Sequence, residues 1–128
     1  MLGATTTAGL TKTAAAQPLK NCASEVVVAK ALCCGDFSGS GKADILWRNT
    51  SGEAYLWLMN GTTFLSGGSL GTVTNDWQIA GIGDFNGDGK ADILWRNTSG
   101  EVYIWLMNGT TFVSGGSLGV VTNDWQIE

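Results

Sequence analysis

The sequence contains no histidine, a single proline and few charges, with only 14% of its 128 residues being Asp, Glu, Lys or Arg. Histidine is the most frequent general base and the commonest transition-metal ligand, so its absence excludes Ser-His-Asp and Cys-His catalysis. Scarce proline beside 19 glycines suits many short strands joined by tight turns better than a helical bundle. No run of lysine or arginine is present and the formal net charge is −4, which removes the electrostatic footprint of a nucleic-acid binder. No apolar run is long enough for a membrane-spanning helix. The first 20 residues lack the continuous apolar stretch of a signal peptide, so secretion has to be argued from the rest of the chain.

Cysteine is also sparse. Cys22, Cys33 and Cys34 show none of the paired spacings of zinc or thioredoxin-like sites. Two readings stand: small buried hydrophobes, or a disulfide from Cys22 to Cys33 or Cys34 that leaves one thiol to cross-link a neighbour.

What the sequence does contain is a repeat. Residues 35 to 79 align with residues 83 to 127 at an offset of 48, and only six of the 45 aligned positions differ. That period and fidelity point to a propeller, solenoid or array. Each period reads as short strands bounded by turn signals: 91 to 97, 101 to 108, 110 to 118 and 123 to 127 in the second copy. Asn108-Gly109 is a strong hairpin signal, because both residues tolerate positive φ. Tyr103, Trp105 and Met107 alternate with Ile104 and Leu106, so both faces of that strand are apolar and both need cover from neighbouring sheets. The expected fold is all-β: two tandem four-stranded propeller-like blades with an extended N-terminal segment. Residues 24 to 34 read as a strand matching 76 to 82, which places one repeat at 24–82 and the next at 83–128. Residues 1–23 read as an Ala/Thr-rich tail that a neighbouring subunit could accept at a sheet edge.

The segment 84 to 92, DFNGDGKAD, carries side-chain oxygens at its first, third, fifth and ninth positions and glycine at its sixth. Calcium takes six to eight oxygen ligands, and a short loop supplies them by alternating donors and then turning sharply at glycine. Asp84, Asn86, Asp88 and Asp92 are the expected side-chain ligands, with Lys90 contributing its carbonyl. Two carboxylates about 5 Å apart repel by roughly 3 kcal/mol at an effective dielectric near 20, so a loop that gathers three favours a bound cation. In the first copy Asp36, Ser38, Ser40, Lys42 and Asp44 occupy the same places. Two hydroxyls there replace an amide and a carboxylate, and the expectation is a weaker or vacant metal site.

With that loop set between strands of a 48-residue repeat, GIGDFNGDGKADILWRN resembles the FG-GAP/VCBS repeats of bacterial surface proteins and integrin α-subunit propellers. The resemblance covers about residues 29 to 128. It implies four-stranded blades, Ca2+ clipped in the Asp84 to Asp92 loop, an extracellular or cell-surface setting and a role in adhesion, recognition or assembly. Two repeats fall short of the four to eight blades of a closed propeller. The expected function is therefore a non-enzymatic, self-assembling filament subunit whose main partner is itself, joined head to tail. The alternative from another class is an adhesion or lectin-like module, forming part or all of a propeller, that binds glycans or cell-surface proteins. Both exclude a nucleic-acid partner.

Overall fold

The computed structural model describes residues 35–128. The tail, the strand expected at 24 to 34 and the three cysteines lie outside these residues. Among the described residues seven strands form: β1 (Ile45–Arg48), β2 (Glu53–Asn60), β3 (Thr63–Thr72), β4 (Trp77–Gly83), β5 (Asp92–Asn97), β6 (Glu101–Asn108) and β7 (Thr111–Val120). There is no helix among the described residues. All pairings are antiparallel, in a three-stranded sheet ordered β1-β2-β3 and a four-stranded sheet ordered β4-β5-β6-β7.

The sequence period and the sheet do not coincide. Trp77–Gly83 closes the first sequence copy, yet it pairs with Asp92–Asn97 of the second, with Trp77 opposite Asn97 and Ile82 opposite Ile93. The first sheet thus sends its last segment into the second. The corresponding segment of the second copy, 123 to 127, was expected as a strand. It forms none, because no described strand lies beside it to supply ladder hydrogen bonds.

Turn chemistry sets the hairpins. Asn49 Oδ1 accepts hydrogen bonds from Ser51 N (3.0 Å), Ser51 Oγ (2.8 Å) and Glu53 N (2.9 Å), closing the β1–β2 turn, and Asn97 does the same for Ser99 and Glu101. Gly52 completes that turn at φ 95°, and a Cβ there would lie 2.3 Å from the Val73 carbonyl oxygen, so no other residue fits.

The alternation of each sheet generates two unlike apolar faces. On the first sheet Leu46, Ala54, Leu56, Leu58 and Leu70 lie on one face, and Ile45, Trp47, Tyr55 and Trp57 on the other, as the registers Leu46 to Leu56 and Trp47 to Tyr55 require. The leucine face of the first sheet packs onto the tryptophan face of the second, where Ile93, Trp95, Tyr103 and Trp105 meet it. This junction is the hydrophobic core.

Candidate metal centre

Both Asp-rich loops wrap around their first aspartate. Asp84 Oδ1 accepts from Gly87 N (2.7 Å) and Asp88 N (3.1 Å), and Oδ2 accepts from Gly89 N (2.8 Å). Asp36 is wrapped likewise by the amides of Gly39, Ser40 and Gly41 at 2.7 to 3.0 Å. The glycines of these loops are at positive φ, which lets successive N–H groups turn inward. Desolvation pushes the Asp84 carboxyl up, but the N–H groups of Gly89, Asp88 and Gly87 outweigh it, and its pKa lies below the ordinary value.

The ninth residue has a different task. Asp92 is fully buried; its Oδ2 accepts from Phe85 N (2.9 Å) and its Oδ1 from Met107 N (2.8 Å). Asp44 makes the matching bonds to Phe37 N (2.8 Å) and Met59 N (2.9 Å). Each carboxylate therefore staples the start of its loop to the end of the following hairpin. Burial is the main cause that pushes the Asp92 carboxyl up; its two amide donors oppose this, and the nearby charges of Asp88 and Asp84 add to it.

Repulsion from Asp88 and Asp84 is felt at Asp92, so a cation placed among the three would favour the ionised form of that carboxyl. The Asp84 and Asp88 carboxyl groups interact side chain to side chain. Asn86 and Asp88 remain at the loop surface, where Asn86 Oδ1 accepts from Asp88 N (3.3 Å) and Asp88 Oδ1 from Lys90 N (2.9 Å). No three carboxylates converge on one point among the described residues. What fits a cation is an oxygen-only donor set, with lone pairs to spare on each carboxylate after its amide bonds are counted. In the first loop Ser38 Oγ donates to Asp36 (3.4 Å) and Ser40 Oγ accepts from Lys42 N (3.2 Å), so both hydroxyls are engaged in the loop itself.

The two loops also differ in cover. The first is roofed by the loop and turn of the second repeat: Asp36 O accepts from Ala91 N (2.8 Å), Phe37 O accepts from Gly109 N (3.0 Å), and Phe37 is 0% exposed. Phe85, its equivalent, is 43% exposed.

A sequence profile for FG-GAP-like repeats matches residues 36–95 and again residues 84–128. The chain belongs to the FG-GAP-like repeat family. Its two FG-GAP repeats lie where the 48-residue offset places them, and the all-β sheets accord with tandem repeat blades. Repeats of this family are generally structural or adhesive modules of extracellular type. No curated protein and no solved structure matches the chain. No helix among the described residues is long and apolar enough to cross a membrane.

Sequence reasoning passed over two groups that organise these repeats. Arg48 donates from Nη2 to the carbonyls of Val73 (2.6 Å) and Thr74 (3.1 Å), from Nη1 to Trp77 O (3.0 Å) and from Nε to Gly52 O (3.0 Å). It thereby holds the crossover into β4. Arg96 holds the carbonyls of Val121, Thr122 and Trp125 in the same way. An arginine inside an apolar strand, repeated in both copies as Leu-Trp-Arg-Asn, was the available signal. The second is Phe37, whose burial depends on the neighbouring sheet and not on its own loop.

Proposed function

We propose that this chain is an extracellular, non-catalytic structural subunit that assembles head to tail with itself and holds Ca2+ in its second Asp-rich loop. One observation carries the assembly reading: large apolar side chains, Ile45, Trp47, Tyr55 and Trp57, stand exposed on the tryptophan face of the first sheet. Contiguous exposed apolar surface of this kind marks an interaction site. Asp84, Asn86 and Asp88, the Lys90 carbonyl and Asp92 are the proposed calcium ligands; Asp36, Ser38, Ser40, Lys42 and Asp44 form a weaker or vacant counterpart. The ion would neutralise carboxylates that otherwise repel and would lock the loop against β5 and β6.

Electron microscopy of the purified protein in calcium tests the assembly reading, which predicts ordered polymers or rings; monodisperse monomers at high concentration contradict it. Calorimetric titration with calcium tests the ion: one tight site is expected, and no heat above dilution contradicts the assignment.

A groove of about 340 Å³ supports an adhesive alternative. Gln78, Arg96, Asn97, Trp125 and Gln126 line it, a mixture of amides, guanidinium and aromatic surface that suits a sugar. A glycan array with no binding removes that reading.

A further inference from the structure

Each sheet carries the same two faces, and among the described residues one of each meets at the internal junction. The leucine face of the first sheet is covered by the tryptophan face of the second. On the tryptophan face of the first sheet Ile45, Trp47, Tyr55 and Trp57 stay exposed, and on the leucine-type face of the second Leu94 and Val102 are buried while Leu118 stays exposed. Equivalent residues show the imbalance directly. Trp95 is 1% exposed while Trp47 is 46% exposed, and Ile93 is buried while Ile45 is exposed. On the other face Leu70 packs against the core, whereas its counterpart Leu118 is 64% exposed.

The backbone repeats the imbalance. A Cβ on Gly68 would meet Thr110 of the β6–β7 turn at 3.3 Å, so that glycine admits the neighbouring repeat; a Cβ on Gly116, the same position one repeat on, would meet nothing within 4 Å among the described residues. Arg48 Nε donates to Gly52 O and its guanidinium covers Trp95, while the buried Arg96 Nε has no partner among the described residues.

We infer that the leucine-type face of the second sheet, bearing Ile104 and Leu118 with Phe85 of the adjoining loop beside them, docks on the tryptophan face of the first sheet of a second copy, bearing Ile45, Trp47, Tyr55 and Trp57. The inference rests on the assembly reading above and supplies its contact. The internal junction is the template: 39 of 45 aligned residues are shared between the repeats, so the surface that covers Leu56 within the chain is reproduced on the first sheet of the next copy. In this arrangement Arg96 lies over Trp47 as Arg48 lies over Trp95, and Phe85 is buried as Phe37 is. The contact is heterologous, because the two faces differ, and it propagates into a ring or a filament instead of stopping at a dimer.

Two variants test this in mixture. Trp47→Asp blocks one face and Leu118→Asp the other; both residues are exposed in the single chain, and Ile45→Asp serves as a second block of the first face. Near-ultraviolet circular dichroism and melting profiles matching the parent establish folding. Sedimentation velocity of the parent should show polymers. Each variant alone should be monomeric, with self-association weakened at least 100-fold, and an equimolar mixture of the two should give a one-to-one dimer, since each retains one competent face. If the parent polymerises and all three folded variants polymerise alike, the contact is wrong while assembly stands. A mixture that stays monomeric contradicts the heterologous pairing, and a monomeric parent overturns the assembly reading itself.

Discussion

The Arg48 guanidinium carbon lies 5.1 Å from the centre of the Trp95 ring, placing a charge from the first sheet over an aromatic face of the second. The same arginine donates to four backbone carbonyls. It therefore couples three things: the β1–β2 turn, the crossover into β4 and the junction between sheets. Arg48→Ala removes a cation–π contact and orphans part-buried carbonyls, which predicts a loss of roughly 2–4 kcal/mol. Arg96→Ala, whose bonds are exposed, should cost about half of that or less. Urea unfolding of monomeric protein, in the Leu118→Asp background, compares the two.

Phe37 and Phe85 offer a sharper contrast, since they are the same residue in the same loop. Phe37→Ala empties a fully buried position and should destabilise by about 3–5 kcal/mol. Phe85→Ala should cost less than about 1 kcal/mol in the single chain. Equal losses would mean that the loops, and not the sheet junction, decide burial.

The paired bonds of Asp92 predict a structural role that does not need metal. Asp92→Ala leaves the Phe85 and Met107 amides without their acceptor and should destabilise by roughly 2–4 kcal/mol even in chelator. Asp92→Asn keeps one carbonyl oxygen and should lose less. Chemical denaturation in the presence of EDTA reads both.

Exchange of the loop chemistry tests the ion. Asp88→Ser converts the second loop toward the first and should weaken calcium binding at least tenfold, or about 1.4 kcal/mol. The double change Ser38→Asn with Ser40→Asp should raise the affinity of the first loop. Calorimetry on both proteins is the check.

Near the C-terminal end the Thr122 hydroxyl donates to Asp124 and, with the residue's own backbone N–H, holds that carboxyl below its ordinary value. A lowered folded pKa gives a contribution that is present above the unfolded value of about 3.9 and lost as pH falls below it. Thr122→Val should move the Asp124 pKa upward toward the ordinary range, as followed by carboxyl NMR titration.

Much of the fold was legible because the signals were local. The Asn-Gly turns, the alternation in Glu101–Asn108 and the 48-residue offset all act within a few residues of each other or repeat outright. The partnership of Trp77–Gly83 with the second sheet was less legible: a strand's sequence states that it needs an edge, and not which edge. The Asp-rich loops were readable as oxygen-lined turns, since glycine and aspartate spacing dictates their shape. The stapling role of Asp44 and Asp92 was hidden, because the amides of Met59 and Met107 that they accept from lie 15 residues away in sequence. Likewise the loop sequences do not state that Phe37 is buried and Phe85 exposed; the contacts that cover the first loop come from Ala91 and Gly109 of the second repeat.

The central claim is that this chain's outer faces are copies of its inner junction. Electron cryomicroscopy of the assembled protein in calcium measures it most directly. The account predicts that the rotation and translation from the second sheet of one copy to the first sheet of the next equal those between the two sheets inside a chain, with Trp47 buried under Arg96. A two-fold contact between like faces, or particles that never exceed one chain, would contradict it.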